Sequence, residues 1–274
     1  MSDPATTAGI TPPTVSSRWR RGTLARARWD RIGLGAAPFA GVALLWAVLS
    51  EGRMVDPTFL PSMSSVAQSL IRVCARESYL KDVWVSIYRV FAAFAVSAIL
   101  GVPIGLLSGH LTRVAEIVHP FVGFVRYLPV PAFVPLCILW FGLGDTAKIV
   151  IIFLGTFFQL ILLASDVARA VPKDYFEAAL TLGATLGQLL YRVLWPACLP
   201  GVVSACRTAV GWAWTYLVVA EIAGATSGIG FRIMQAQRYV ETPDVFAGIV
   251  IIGLLGMTTD LLFQAIQRVA FRWQ

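Results

Sequence analysis

The chain has 274 residues, of which 57% are hydrophobic and only 14% charged, with a formal net charge of +7. A soluble chain carries about a quarter charged residues, so there is too little polar surface to coat a globule, and lipid must face much of this one. The positive balance does not mark a nucleic-acid binder. Arg18, Arg20, Arg21, Arg26, Arg28 and Arg31 stand together ahead of the first apolar run, where the cytoplasmic flanks of membrane proteins collect such residues.

In chain order, residues 1–31 read as a basic cytoplasmic tail whose first 17 residues are disordered in composition. It is not a signal peptide, because the arginines precede a full-length span with no clear small-residue cleavage site. Runs without Asp, Glu, Lys or Arg lie at 32–50, 90–109, 127–144 and 149–165. Each approaches the ~20 residues that carry a helix across about 30 Å of hydrocarbon. Two later runs admit charge: 199–222 holds Arg207 and Glu221, and 245–266 holds Asp260. Lipid admits only helices or closed barrels, and these runs are continuous rather than alternating. The expected fold is an all-α integral membrane protein with six transmembrane helices, at about 32–50, 85–109, 120–142, 147–168, 198–222 and 245–266, in a single domain over 32–270.

Both termini then lie in the cytoplasm. Inner segments carry the six N-terminal arginines with Arg113, Arg169, Lys173, Arg192, Arg268 and Arg272. Outer segments carry Arg53, Arg72, Arg76, Lys81, Lys148, Arg232 and Arg238. Asp56-Pro57 and Leu60-Pro61-Ser62 mark an outer turn. Val66, Leu70, Ile71, Val73 and Cys74 recur near helical spacing and predict a helix on the outer surface within 64–78. Residues 140–148 form a tight outer hairpin in which Gly142 and Gly144 allow the turn and Asp145 is placed to cap the fourth helix.

The connection at 170–196 is too polar to span a bilayer and too patterned to be a passive linker. A short helix is predicted over 173–182, with Phe176, Ala179, Leu180 and Leu182 on an apolar side and Gly183 breaking it. A second follows over 186–195, with Leu186, Leu189, Leu190, Val193 and Leu194 at i, i+3, i+4, i+7 and i+8, ended by Pro196. A cytoplasmic loop this apolar lies on lipid or docks into another protein's groove.

This stretch resembles a signature of the permease subunits of bacterial ABC importers: Glu-Ala-Ala, three residues, Gly, nine residues, Ile, one residue, Leu-Pro. Here Glu177-Ala178-Ala179, Gly183, Val193 and Trp195-Pro196 keep the full spacing, with Val for Ile and Trp for Leu. The stretches RYLPVPAFVPLCILWFGLGDTAK (126–148) and RTAVGWAWTYLVVAEI (207–222) resemble the third and fifth spans of the nitrate/sulfonate/taurine-type members. The similarity covers most of 35–270 and leaves out the arginine-rich tail. The resemblance implies that Glu177, Ala178, Ala179, Gly183, Leu186, Leu189, Val193 and Pro196 belong to a coupling element that docks in a separate ABC ATPase subunit. It implies a homodimer whose two copies form the pathway, an extracytoplasmic solute-binding protein, and ATP with magnesium bound by the ATPase rather than by this chain. It further implies a bacterial inner membrane and a small anionic solute such as nitrate, taurine or an alkanesulfonate, although similar permeases carry other solutes, including pyrimidine precursors.

Ionisable groups inside spans are costly and often functional. Arg126, Arg207 and Glu221 are candidates for the pathway, with two readings each for the arginines: donors to a passing anion, or side chains that snorkel to the headgroups or pair structurally with Glu116, Asp166 or Glu221. Arg89, at the start of the second span, reads as snorkelling to the headgroups. Pro129, Pro131 and Pro135 free backbone carbonyls for either a cavity wall or a packing kink. Gln159 reads as pore-lining or as a helix–helix hydrogen bond; Trp212, Trp214 and Tyr216 read as dimer seam or lipid face. Cys74, Cys137, Cys198 and Cys206 have no ligand spacing, and His110 and His119 stand apart from them, so no metal site is expected. A GxxxxGK[ST] phosphate loop does not occur, nor does a catalytic constellation, so the chain is not expected to be an enzyme. An ion-driven secondary transporter is the alternative, but neither an inverted repeat nor a midplane ion site is visible, and the amphipathic loop would have no role in one.

Overall fold

The structure, a computed structural model, describes residues 37–271 apart from 39 and 53. The tail 1–31 and the first part of the predicted span 32–50 lie outside the described residues. Every regular element among the described residues is a helix. The chain forms two units, Met1–Met63 and Ser64–Gln274. In the first, α1 (Ala40–Glu51) is a short apolar helix. The Trp46 indole donates to the Pro61 carbonyl at 2.9 Å, which ties the following loop back onto α1. Asp56 accepts the Thr58 amide at 2.8 Å, an Asx turn, and Thr58 holds the exposed carboxyl below its ordinary pKa.

The second unit begins with α2 (Met63–Cys74), which buries Val66, Ser69 and Val73 while Ile71 faces outward. Next comes α3 (Glu77–His110), whose 34 residues reach about 50 Å at ~1.5 Å per residue, well beyond the hydrocarbon. After α4 (Thr112–Val125) and α5 (Val130–Phe141) come α6 (Asp145–Arg169), the short α7 (Lys173–Thr181), α8 (Leu186–Gln188), α9 (Trp195–Ile222), α10 (Ile229–Arg238) and α11 (Thr242–Ala270). Four continuous helices among the described residues are long and apolar enough to cross a membrane: α3, α6, the run Leu186–Ile222 and α11. The pair α4 and α5 makes a fifth if taken as one bent span.

That pair departs from the sequence expectation. The third span, drawn as one helix over 120–142, is two helices meeting at 93°. The break falls where the chemistry requires it. Leu128 precedes a proline and is steered away from helical backbone; Pro129 is extended (φ −70°, ψ 113°); Pro129 and Pro131 have no amide to continue the ladder. Both prolines sit in or before the first turn of α5, where a missing donor costs nothing.

Small residues set the central packing. Ala93, Ser97, Gly101, Gly105 and Gly109 recur every fourth position of α3 and face α6. A Cβ on Gly105 would lie 2.5 Å from both Ala164 Cβ and the Ile161 carbonyl, and one on Gly109 would lie 2.4 Å from the Ser165 carbonyl. The two backbones therefore touch, as small-residue seams allow inside membranes. Further along the seam, the Ser97 and Thr156 hydroxyls bond at 2.9 Å, fully buried. One apolar cluster, with Ile151, Ile152, Val210 and Leu217, joins α3, α5, α6 and α9. A second, with Leu106, Leu160, Leu194 and Cys198, fills the end that leads into α7.

Candidate functional site

The loop between α6 and α9 is built from terminators and caps. Pro172 precedes the first turn of α7, and Asp174 lies within it, favourable at a helix N-terminus. At the other end Gly183 adopts φ +78°. The Ala184 amide donates to the Ala179 carbonyl at 3.0 Å and the Gly183 amide to the Leu180 carbonyl at 2.9 Å, the paired bonds of a Schellman motif. The glycine that follows Glu-Ala-Ala after three intervening residues is thus the left-handed residue that reverses the chain, and the second alanine's carbonyl accepts the amide of the residue after it. No atom lies within 4 Å of where a Gly183 Cβ would stand, so the demand for glycine is one of backbone conformation alone.

The next helix starts with a capping box. Gln188 Oε1 accepts the Thr185 amide at 2.9 Å, and Thr185 Oγ1 accepts the Gln188 amide. Residues Leu189–Leu194 then run in π geometry, with the Trp195 amide bonded to the Leu190 carbonyl, and α9 follows without a break. The expected stop at Pro196 is absent. Its missing amide falls at the start of α9, and the wider π turns pass the ladder around it. Leu189 and Leu194 are buried, Val193 is half-buried, and Pro196 is exposed. Phe176 stacks on His110 at 4.4 Å and pins α7 beneath the end of α3. Glu177, Ala178, Leu180, Leu182 (89% exposed) and Leu186 face outward.

The opposite end of the bundle holds a charged clamp. Glu221, 1% exposed at the end of α9, accepts from Ser86 at 2.8 Å, Arg89 at 2.7 Å and the Gly230 amide at 2.7 Å. Arg89, 2% exposed, also donates to Asp145 at 2.9 Å and to Ser227. Three successive amides at the start of α10 are met by side chains: Gly228 by Asp82 at 2.8 Å, Ile229 by Ser86 at 2.9 Å, Gly230 by Glu221. Acceptors from α3 and α9 therefore satisfy the donors of a third helix, and the carboxylates suit the positive end of its dipole. Gly228, at φ +107°, leaves no room for a side chain, since a Cβ would lie 2.2 Å from Glu221 Oε1.

A family model for the binding-protein-dependent transport system inner membrane component matches residues 101–272. The chain belongs to this family. The aliphatic sulfonates transport permease protein SsuC of Bacillus subtilis is 33% identical to the permease over 235 residues, 86% of this chain and 85% of that one. The taurine transport system permease protein TauC of Escherichia coli is 29% identical over 254 residues, 90% and 92% of the two chains. The bicarbonate transport system permease protein CmpB of Synechococcus elongatus is 26% identical over 265 residues, 93% of each. An inward-facing structure of the MetNI methionine ABC transporter shares the fold, with a TM-score of 0.62 at 22% identity over 69% of this chain and 94% of that one. The permease is accordingly a multi-pass membrane subunit of an ABC importer and is not itself the ATPase.

The permease does not bring its candidate pathway residues together in one place. Glu221 is enclosed in the clamp. Arg207 forms a two-pronged pair with Asp260 of α11, whose second oxygen also accepts from Gln264 at 2.8 Å. Arg126 is exposed at the bend, with its guanidinium 4.8 Å from the Tyr127 ring and no carboxylate within 4 Å among the described residues. Pro129 and Pro131 are exposed beside it, while Gln159 and Trp212 are half-buried on α6 and α9.

Lys148, counted with the outer flank, is 1% exposed and donates to the Leu143 carbonyl. Three expectations are corrected. Arg89 does not snorkel, because three residues, Asp145, Glu221 and Ser227, hold its fork inside the bundle. Asp145 does not cap α6, whose N-cap is Gly144; its carboxylate turns to Arg89. Trp214 faces neither a seam nor lipid but is buried, donating to Thr259 at 3.2 Å. Sequence reasoning misses Asp82, Ser86, Ser227 and Thr185. Asp82, Ser86 and Arg89 at i, i+4 and i+7 do put three polar groups on one face of a span, and Thr185-x-x-Gln188 is a readable capping box.

Proposed function

We propose that the permease moves a small oxyanion across the membrane as one of two copies in an ATP-driven importer. Its loop 170–196 docks on a separate ATPase subunit that binds ATP and magnesium. The observation that carries this reading is the loop: Leu180, Leu182 and Leu186 stay outside on a short helix and turn whose shape is set by Gly183 and the Thr185–Gln188 box. Apolar side chains presented this way fit a groove on another protein. The excess of arginine ahead of the first span and around the loop supports a cytoplasmic position for both. The clamp end then faces outward, toward the solute-binding protein. Closure of the ATPases around ATP draws the two loops together and favours one facing of the pathway over the other.

The named solutes of the relatives, aliphatic sulfonates, taurine and bicarbonate, share a compact oxyanion. Among the candidate pathway residues, Arg126, at the bend with Pro129 and Pro131, is the cation with no carboxylate within 4 Å among the described residues, so its charge is left for such a solute. Arg207 and Glu221, each matched by a partner, serve the frame. The test is thermal melting of the cognate binding protein against a panel of anionic, neutral and cationic solutes. Stabilisation by a sulfonate, nitrate or bicarbonate is the expected result; stabilisation by neutral or cationic solutes alone would falsify the oxyanion reading.

A further inference from the structure

The corner between α10 and α11 retains backbone strain on exposed apolar residues. Val240 has φ +59° and is the single non-glycine residue with positive φ among the described residues. Its amide donates to the Gln237 carbonyl at 3.1 Å, and the Glu241 amide donates to the Ala236 carbonyl at 2.9 Å, so it fills the left-handed position of a Schellman motif. Glycine fits that position freely, and a β-branched residue is among the worst suited to it. Packing does not explain the choice: Val240 is 63% exposed and Tyr239 beside it 71%. A cleft opens on each side of Tyr239, of 250 and 190 Å³. Arg76 and Glu241 line the first, Met234 and Arg238 the second, and Gln235 with Tyr239 is common to both. The other outer cations around this corner have carboxylates: Arg72 with Asp244, Lys81 with Glu77, Arg232 with Asp82. Arg76 and Arg238 have none within 4 Å among the described residues. The corner lies at the clamp end of the bundle, away from the loop that carries Gly183.

We infer that Tyr239 and Val240, flanked by Arg76 and Arg238, form the contact on which the solute-loaded binding protein seats an acidic, partly apolar surface. The inference rests on the importer reading above. Strain held in an exposed residue marks a surface shaped for a partner rather than for stability. An aromatic ridge between two clefts, edged by unmatched cations, has the make-up of a docking hot spot whose charges set the rate of encounter.

The test uses the complete importer in liposomes, with ATP hydrolysis followed as the loaded binding protein is titrated at low and high salt. Tyr239→Ala and the double charge reversal Arg76→Glu with Arg238→Glu are expected to raise the half-stimulating concentration about tenfold. The loss in the charge variant should shrink at high salt. Val240→Gly relieves the strain, so its melting temperature should equal or exceed wild type while its half-stimulating concentration still rises severalfold. That variant separates a docking defect from misfolding. Titration curves that overlay wild type for all three variants would overturn the assignment. A wild-type importer that hydrolyses ATP without any response to its binding protein would instead overturn the importer reading, and the inference with it.

Discussion

Glu221 illustrates how one side chain decides whether a buried charge is tolerated. Every hydrogen-bond partner it has is a donor: the Ser86 hydroxyl, the Arg89 guanidinium and the Gly230 amide. A carboxylate can accept them all, whereas a glutamine side chain in its place would aim an amide NH2 at one of these donors and leave Arg89 short of a charge. Breaking one side of a buried pair costs about 3–5 kcal/mol, partly offset here because Asp145 also serves Arg89. Glu221→Gln should lower the melting temperature of the purified permease by many degrees, read by thermal unfolding in detergent, while Glu221→Asp should fall between it and wild type. An unchanged melt for Glu221→Gln would mean that the clamp does not hold α3, α9 and α10 together.

At the scale of elements, the α3–α6 seam depends on having no side chain at Gly105. Gly105→Leu forces the two backbones apart, and overpacking of this kind costs about 1–3 kcal/mol or more. Lower yield and a lower melting temperature are expected, with Gly123→Leu as the tolerated control, since a Cβ added at Gly123 meets nothing within 4 Å. The elements also show where local pattern suffices to read a fold. The helix 173–182 is legible because its apolar face and glycine stop are both written within a short stretch, and α7 follows them. Pro196 misleads because a proline reads equally as a stop or as the first turn of a new helix, and only the π turns before it decide. The 93° bend is half legible: the prolines at 129, 131 and 135 announce a disturbance but not its angle. The clamp is hidden for a different reason. Arg89 and Glu221 lie 132 positions apart, and no local pattern announces which distant charges will meet.

For the molecule as a whole, the proposed function uses the pairing of charges to separate frame from pathway. Arg207 and Asp260 hold α9 to α11 as a half-exposed pair. Either single alanine substitution should lower the melting temperature slightly, and the double substitution should recover part of that loss while oxyanion uptake persists. Uptake that stays abolished in a well-folded double variant would move Arg207 into the pathway. Arg126→Ala should do the opposite, reducing uptake with little change in the melt, because its guanidinium meets only the neighbouring, exposed Tyr127 among the described residues. The central claim, that the Gly183 turn is the mechanical link to an ATPase, is tested most directly by co-purification. The tagged permease is extracted from its host in mild detergent, as wild type and as Gly183→Pro, and the associated proteins are identified. Proline cannot adopt φ +78°, so the account predicts that wild type retains an ATPase subunit and the variant loses it while remaining folded. A wild-type permease that carries no ATPase, or a Gly183→Pro variant that retains its full complement, would contradict it.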